Sequence, residues 1–234
     1  MLDDTQACFD AGAGDWTRDN QEPLGRIRYE VTWGNLAPHL PPVRNAGDAP
    51  RVLDVGGGSG EMALKLAQRG YRVWLLDYAP AMLDQTRLSA RSLPHHVQAR
   101  LAFWLLPAEE AGDAFAPCFF HVITSHTLIE SVQQPDATLQ VLASLLDDGG
   151  LLSLSFVNRH AEVLRQVWSR RDPVGALAKL EDGTFRAKLF NVPGLYSRGS
   201  ECLAAAPGAD SNSALAHAPS LIRCRRNVSP ILHS

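Results

Sequence analysis

Apolar and polar positions change their period several times along the chain, and each change marks an element. Leu24, Ile27, Val31 and Leu36 recur at roughly helical spacing, which predicts a helix to about Leu36 with those residues on one face. Pro38, Pro41 and Pro42 end it, and a loop runs on to Pro50. Short apolar runs then alternate with helical stretches. RVLDV (51–55), YRVWLLD (71–77), VQARLAFWLL (97–106), FFHVITS (119–125) and LLSLSFV (151–157) read as five strands. MALKLAQRG (62–70) reads as a helix closed by Gly70, and Pro80 and Pro135 each stand where a first helical turn tolerates a missing N–H. The Asp147-Asp148-Gly149-Gly150 run reads as a turn into the fifth strand. Strands separated by helices need crossover connections, so the pattern predicts an α/β fold: a doubly wound, mostly parallel sheet with helices on both faces.

The two ends depart from this pattern. The first 23 residues are polar and rich in Gly and Asp, and read as a loosely ordered arm. Residues 196–234 are rich in Ser, Ala and Pro, show little sustained period, and read as an atypical, disordered tail in which the closing strands expected of such a sheet cannot be placed. The expected organisation is an N-terminal arm and helix (1–50), a ligand-binding domain (51–195) and that tail (196–234).

A chain of 234 residues, 45% of them hydrophobic, can bury one substantial core. The net charge of −3 argues against attachment to nucleic acid by bulk positive charge and leaves room for a local basic patch. Arg159, Arg165, Arg170, Arg171, Lys179, Arg186 and Lys188 do concentrate after the fifth strand, a density that fits either phosphate contacts or a solvated helical face. Trp168 could stack a base, but at helical spacing from Leu164 and Arg165 it reads as a packing residue. Cys8, Cys118, Cys202 and Cys224 are widely spaced without a C-x-x-C pair, so neither zinc nor a disulfide framework is expected. The acidic start lacks a secretory pattern, and no apolar run approaches the roughly 18 residues of a membrane helix, so the expectation is a cytoplasmic protein without a membrane partner.

The sharpest chemical signal is Leu53-Asp54-Val55-Gly56-Gly57-Gly58-Ser59-Gly60, a strand running directly into a helix. Glycines let the backbone turn tightly and approach a ligand closely, and the helix that follows aims its partly positive end into the same crevice. Asp77, 17 residues after Gly60 (77 − 60), ends the second strand, where a carboxylate can accept from both ribose hydroxyls of an adenosine or instead cap the helix at Pro80. Gly60-Glu61-Met62 lacks the Lys-Ser/Thr of a triphosphate loop, and G-G-G-S-G differs from the dinucleotide pattern. Asp54 would repel a pyrophosphate; it suits a ligand carrying an amine and a sulfonium, or serves the loop structurally by bonding its amides.

These segments, with Leu76-Asp77 and Asp148-Gly149-Gly150, resemble a class I S-adenosylmethionine-dependent methyltransferase over about residues 51–157. Together with Arg28 in LGRIRYEVTW, His126 in SHTLIESV and the GGLLSLSFVN strand ending at Asn158, they are similar to the bacterial tRNA 5-carboxymethoxyuridine methyltransferase family over about residues 24–193. The resemblance implies a Rossmann-like fold, S-adenosyl-L-methionine as cofactor, and cofactor contacts at Arg28, Gly56, Gly57, Asp77, Ala108, Glu109 and His126; Asp54 and Gly58 join that set from the loop itself. Read from the residues alone, Arg28 is an exposed helix-face arginine, Glu109 is equally a helix-start residue, and His126 is either a site residue or a satisfied buried histidine. Glu130, four residues after His126, shares its face if a helix follows. Ser131 stands where the family carries an aromatic residue, and residues 196–234 do not resemble its C-terminus. The implied reaction is methyl transfer to the carboxylate of a modified uridine in tRNA, which needs orientation rather than a general base. A small-molecule acceptor and a truncated or frameshifted, non-catalytic remnant are the alternatives.

Overall fold

The structure is a computed structural model that describes residues 2–45, 47–156, 159–182, 184–186, 193–195 and 220–223. Strands β1 (Arg51–Val55), β2 (Arg72–Asp77), β3 (Leu101–Leu105), β4 (Phe120–His126) and β5 (Leu146–Ser155) run parallel in the order β3-β2-β1-β4-β5. The chain therefore winds outward from β1 to β3, then crosses back to β4. This reversal leaves a crevice at the carboxyl ends of β1 and β4, where open α/β sheets bind ligands. Strands β6 (Thr184–Arg186) and β7 (Pro193–Leu195) form a separate antiparallel pair. Strand β8 (Ser220–Arg223), from the stretch read as a disordered tail, lies antiparallel beside β5 as the sixth strand of the main sheet.

Helices cover both faces, as the crossover argument requires. They are α1 (Leu2–Gln21), α2 (Pro23–Leu36), α3 (Glu61–Gln68), α4 (Pro80–Ala90), α5 (His95–Gln98), α6 (Ala111–Ala114), α7 (Pro135–Leu145), α8 (Arg159–Arg170) and α9 (Pro173–Asp182). Successive strand residues point to opposite faces, so neighbours in β1 serve different cores. Leu53 and Val55 join Ile123, Leu152 and Leu154 against α6 and α7 through Ala111, Leu139 and Leu142. Val52 joins Val73, Leu75 and Leu151 against Trp33 and Leu36 of α2 and Met62 and Leu66 of α3.

Several expectations are corrected. The N-terminal arm is a 20-residue helix, α1. Phe9, Ala13 and Trp16, at helical spacing, pack on Ala79, Ala81 and Met82 at the start of α4. Gly12 and Gly14 dilute that stripe and lower the intrinsic propensity, so docking supplies what the local sequence does not. The helix predicted from Leu24 forms, but its inner face is Thr32, Trp33 and Leu36, while Leu24, Ile27 and Val31 are 82%, 58% and 47% exposed. Trp33 decides the rotation: its ring carries the larger apolar area and sits beneath the cations of Lys65 and Arg69, 4.9 and 4.5 Å from its centroid. Val97 and Gln98 belong to α5 behind Pro94, so β3 begins only at Leu101. The Asp147–Gly150 run lies within the bounds of β5 as an irregularity, with Gly149 at φ +73° and the pairing with β4 shifting register between Phe120 and Val122, so a local bend stands where the sequence reads a turn. Trp168 is 88% exposed rather than packed.

Gly60 caps α3 in the left-handed region at φ +84°, and a Cβ there would run into the Thr86 side chain, whose hydroxyl donates to Gly58 O at 2.9 Å. Gly149 has a similar φ of +73° with nothing within 4 Å. Urea denaturation is expected to show Gly149→Ala costing about 1 kcal/mol from backbone strain alone. Gly60→Ala is expected to lose roughly 2 kcal/mol or more, because Thr86 must also move.

Candidate functional site

The glycine loop that leaves β1 is fastened to β2. Gly56 N–H donates to Leu76 O at 2.7 Å and Gly58 N–H to Asp77 Oδ2 at 2.9 Å. Asp77 Oδ1 accepts from Ala79 N–H at 2.9 Å, one residue before α4. Both structural roles open to Asp77 are therefore filled, loop anchor and helix-start acceptor. The Tyr78 amide also acts on this carboxylate, and a carboxylate has roughly four acceptor sites, so capacity for a ligand hydroxyl remains. Asp77 is 6% exposed, and burial pushes its carboxyl up to about 6 against the pull of the Ala79 and Gly58 amides.

Asp54, 3% exposed, lies beneath the loop. Its Oδ1 accepts from the Thr124 hydroxyl of β4 at 2.7 Å, and Oδ2 makes no hydrogen bond of normal geometry. It does not bond the loop amides as the structural reading of the sequence held. Burial raises its carboxyl to about 6, opposed by the Thr124 bond and reinforced by Glu61 and Asp77. A Cβ on Gly57 would stand 2.8 Å from Leu75 Cγ and 2.9 Å from Asp54 Oδ2. The absence of a side chain at Gly57 thus lets the loop pack directly on Leu75 and on the buried Asp54 carboxylate, and an anion held beneath the loop suits the cationic part of S-adenosylmethionine.

The remaining predicted residues stand around the same crevice. His126 ends β4, and its Nε2 is hydrogen-bonded to Ser153 Oγ of β5 at 2.9 Å. Desolvation holds its imidazole down at about 4, so it is uncharged at neutral pH. Ala108, buried, and Glu109 form a single 3-10 turn after β3; Glu109 Oε1 accepts from Gln133 N–H at 3.2 Å, tying this turn to the segment after β4. No helix follows His126, and Glu130 is buried in an irregular segment before α7. Asn158 and Lys188 lie outside the described residues.

Arg28 reaches the site from α2. Its Nη2 donates to Asn20 Oδ1 at 2.6 Å, and its guanidinium lies over the rings of Trp16 and Tyr29, 4.6 and 5.0 Å from their centroids. Asn20 in turn touches the loop at Ser59 and the start of α3 at Glu61. Trp16 and Asn20 were missed in the sequence because their segment was read as an arm; the 4-3-4 spacing of Phe9, Ala13, Trp16 and Asn20 is the signal that marks them. Helix α1 is held to the crevice rim by two more bonds, Gln6 Nε2 to Tyr78 O at 2.7 Å and Ala81 N–H to Asp10 Oδ1 at 2.9 Å.

Residues 28–190 match a family model described as a methyltransferase domain. The chain is 32% identical over 143 residues to the tRNA 5-carboxymethoxyuridine methyltransferase of Escherichia coli K12, covering 61% of this chain and 53% of that protein. It is 36% identical over 149 residues to the ubiquinone biosynthesis O-methyltransferase of Xanthomonas axonopodis pv. citri, covering 62% and 56%. The chain thus spans about half the length of these relatives. A solved Pyrococcus horikoshii protein superposes with a TM-score of 0.63 at 14% identity, covering 88% of this chain and 94% of that one. A possible histamine N-methyltransferase from Thermotoga maritima gives 0.60 at 15% identity, covering 93% and 92%. These two likenesses establish the Rossmann-like fold.

With its carboxyl near 6, Asp77 is about one-tenth ionised at pH 5 and almost fully ionised at pH 7.5. Hydroxyl donors favour the carboxylate, so S-adenosylmethionine is expected to bind about tenfold more weakly at pH 5 than at pH 7.5 by calorimetric titration. The stability contribution has the opposite sign. The fold holds this proton more tightly than the unfolded chain does, so the group's share of stability declines as pH rises from about 4 to about 6. Asp77→Asn is expected to flatten its part of the binding profile, leaving any dependence due to Asp54. A profile already flat in the wild type would show that the Asp77 carboxylate does not meet the ligand.

Proposed function

The chain belongs to the S-adenosylmethionine-dependent methyltransferase family, and from that premise we propose that it methylates the carboxylate of 5-carboxymethoxyuridine in tRNA. S-adenosylmethionine, when bound, supplies the methyl group from its sulfonium. In this reading Asp77 receives the ribose hydroxyls, Asp54 faces the cationic end, the Gly56–Gly58 backbone lies along the cofactor, and Arg28 pairs with its carboxylate. Ala108 and Glu109 border the adenine, and His126 stands at the acceptor side.

The observation that carries the choice of acceptor is the exposed Trp168 flanked by Arg165, Arg170 and Arg171 on α8 and its C-terminal end, and the state of His126 is compatible with it. An imidazole held at about 4 and tied to Ser153 is a poor proton acceptor at neutral pH. A carboxylate arrives already ionised and needs only to be aligned with the methyl carbon at roughly 3 Å. A phenolic hydroxyl, which titrates near 10, would need a base in that position. The helical hairpin after β5 supports a nucleic-acid acceptor. Arg165, Arg170 and Arg171 are exposed on it, and Trp168 presents an uncovered indole among them. Cations flanking a flat aromatic suit an unpaired base and its phosphates. Arg159 and Lys179 belong to the same two helices and Arg186 to β6. A tRNA acceptor places the reaction in the cytoplasm, and no helix among the described residues is long and apolar enough to cross a membrane.

A small-molecule O-methyltransferase is the second reading, favoured by the identity with the ubiquinone-pathway relative. The two separate in one assay. Tritiated-methyl S-adenosylmethionine is incubated with the chain and either tRNA bearing the free carboxymethoxy group or a panel of catechols and phenols. Label is expected in tRNA and is expected to be released by mild alkali, as a methyl ester is. The double variant Arg165→Glu/Arg171→Glu is expected to raise KM for tRNA severalfold with little change in kcat, because those charges act on binding. Label in the phenols alone would favour the second reading, and cofactor binding without transfer would identify a non-catalytic remnant.

A further inference from the structure

Asn20, on α1, is 5% exposed and makes three hydrogen bonds to three other parts of the fold. Its Oδ1 accepts from Arg28 Nη2 of α2 at 2.6 Å. Its Nδ2 donates to Ser59 Oγ of the glycine loop at 3.1 Å and to Glu61 Oε1, the first residue of α3, at 3.0 Å. Ser59 Oγ also donates to the Glu61 carboxylate, 2.8 and 2.9 Å from its two oxygens. Glu61 as a carboxylate can only accept, so the amide nitrogen must face it and the amide oxygen must face Arg28. The orientation of Asn20 is therefore dictated by its neighbours.

We propose that Asn20 is a positioning residue that holds Arg28 ready for the carboxylate of the cofactor's methionine part. The proposal rests on the reading of the crevice given above. Two physical effects combine. Arg28 is exposed on α2, and a long arginine side chain left alone would sample many rotamers. Here it lies over the Trp16 ring, donates to Asn20 from one nitrogen and also bonds the Tyr29 hydroxyl, which leaves most of its five N–H donors for an incoming carboxylate. Asn20 also separates opposite charges. Arg28 and Glu61 both bond to its amide rather than to each other, so the arginine is not spent on an internal ion pair that the cofactor would have to break. The neutral amide does what neither a carboxylate nor an apolar side chain does in this place: it accepts on one side and donates on the other.

The test compares two ligands by calorimetric titration of the full chain. S-adenosylmethionine carries the carboxylate; 5′-methylthioadenosine keeps the adenosine and lacks the amino-acid part. Asn20→Ala is expected to weaken S-adenosylmethionine about tenfold while leaving 5′-methylthioadenosine within about twofold. Arg28→Ala is expected to do the same, and the double variant to be no weaker than Arg28→Ala alone. If Asn20→Ala does not give the native circular dichroism and melting curve, Asn20→Asp takes its place. That isosteric carboxylate captures Arg28 itself, and the same selective loss is expected. Equal weakening of both ligands would reduce Asn20 to a loop scaffold, and unchanged binding of S-adenosylmethionine, or multiplying losses in the double variant, would also overturn the proposal. A folded wild type that binds neither ligand would instead defeat the crevice reading, and the proposal with it.

Discussion

The bond network of one carboxylate, Asp77, governs the geometry of the crevice. It ends β2, receives the Gly58 amide from the loop after β1, and receives the Ala79 amide that begins the approach to α4. Three segments separated in sequence are thereby fixed to one point at the switch of the sheet. A buried anion is costly, and the rise of this carboxyl to about 6 is the measure of that cost. The two amides offset part of it. In the proposed reading, ligand hydroxyls would offset more, and cofactor binding would relieve part of a desolvated charge.

The N-terminal helix builds on that arrangement. Once the loop and the start of α4 are fixed, they offer a small apolar seat at Ala79 and Met82 and exposed polar groups at Tyr78 O and the Ala81 amide. Helix α1 meets all of these with Phe9, Ala13, Gln6 and Asp10. Its far end then delivers Trp16 and Asn20 to Arg28. The order of dependence is loop, helix start, α1, arginine. A disturbance at Gly58 therefore propagates to Arg28, whereas a change at Arg28 need not disturb the loop.

This hierarchy explains what was legible in the sequence. The parallel sheet was legible because buried strands read as unbroken apolar runs, and the loop because glycine clusters have few other uses. Asp77 was legible by its place at the end of a strand. Helix α1 was not, because its inner face is three apolar residues interrupted by glycines, and its stability comes from docking to a surface that exists only after the sheet has formed. The rotation of α2 was misread for a related reason. Leu24, Ile27 and Val31 form a regular stripe, yet one tryptophan with two cations around it outweighs them. Periodicity counts apolar positions; packing weighs their areas and partners.

The polar residues beneath the crevice show how one sheet face serves two purposes. Val52, Val122 and Leu151 fill the lower part of the face that α2 and α3 cover. Thr124 and Asp54 follow higher on that face, and Ser153 with His126 completes the row. Each strand thus changes from apolar to polar as it nears its carboxyl end. The apolar half excludes water, which is what raises the carboxyls of Asp54 and Asp77 and lowers the imidazole of His126. Desolvation moves acids and bases in opposite directions, and both shifts favour the uncharged form. At neutral pH the two carboxyls are mostly ionised and the imidazole is neutral, so the row presents anions at Asp54 and Asp77 and an uncharged ring at His126. In the proposed reading, transfer to an acceptor that brings its own negative charge would draw on a dry floor, fixed dipoles and a held direction of approach.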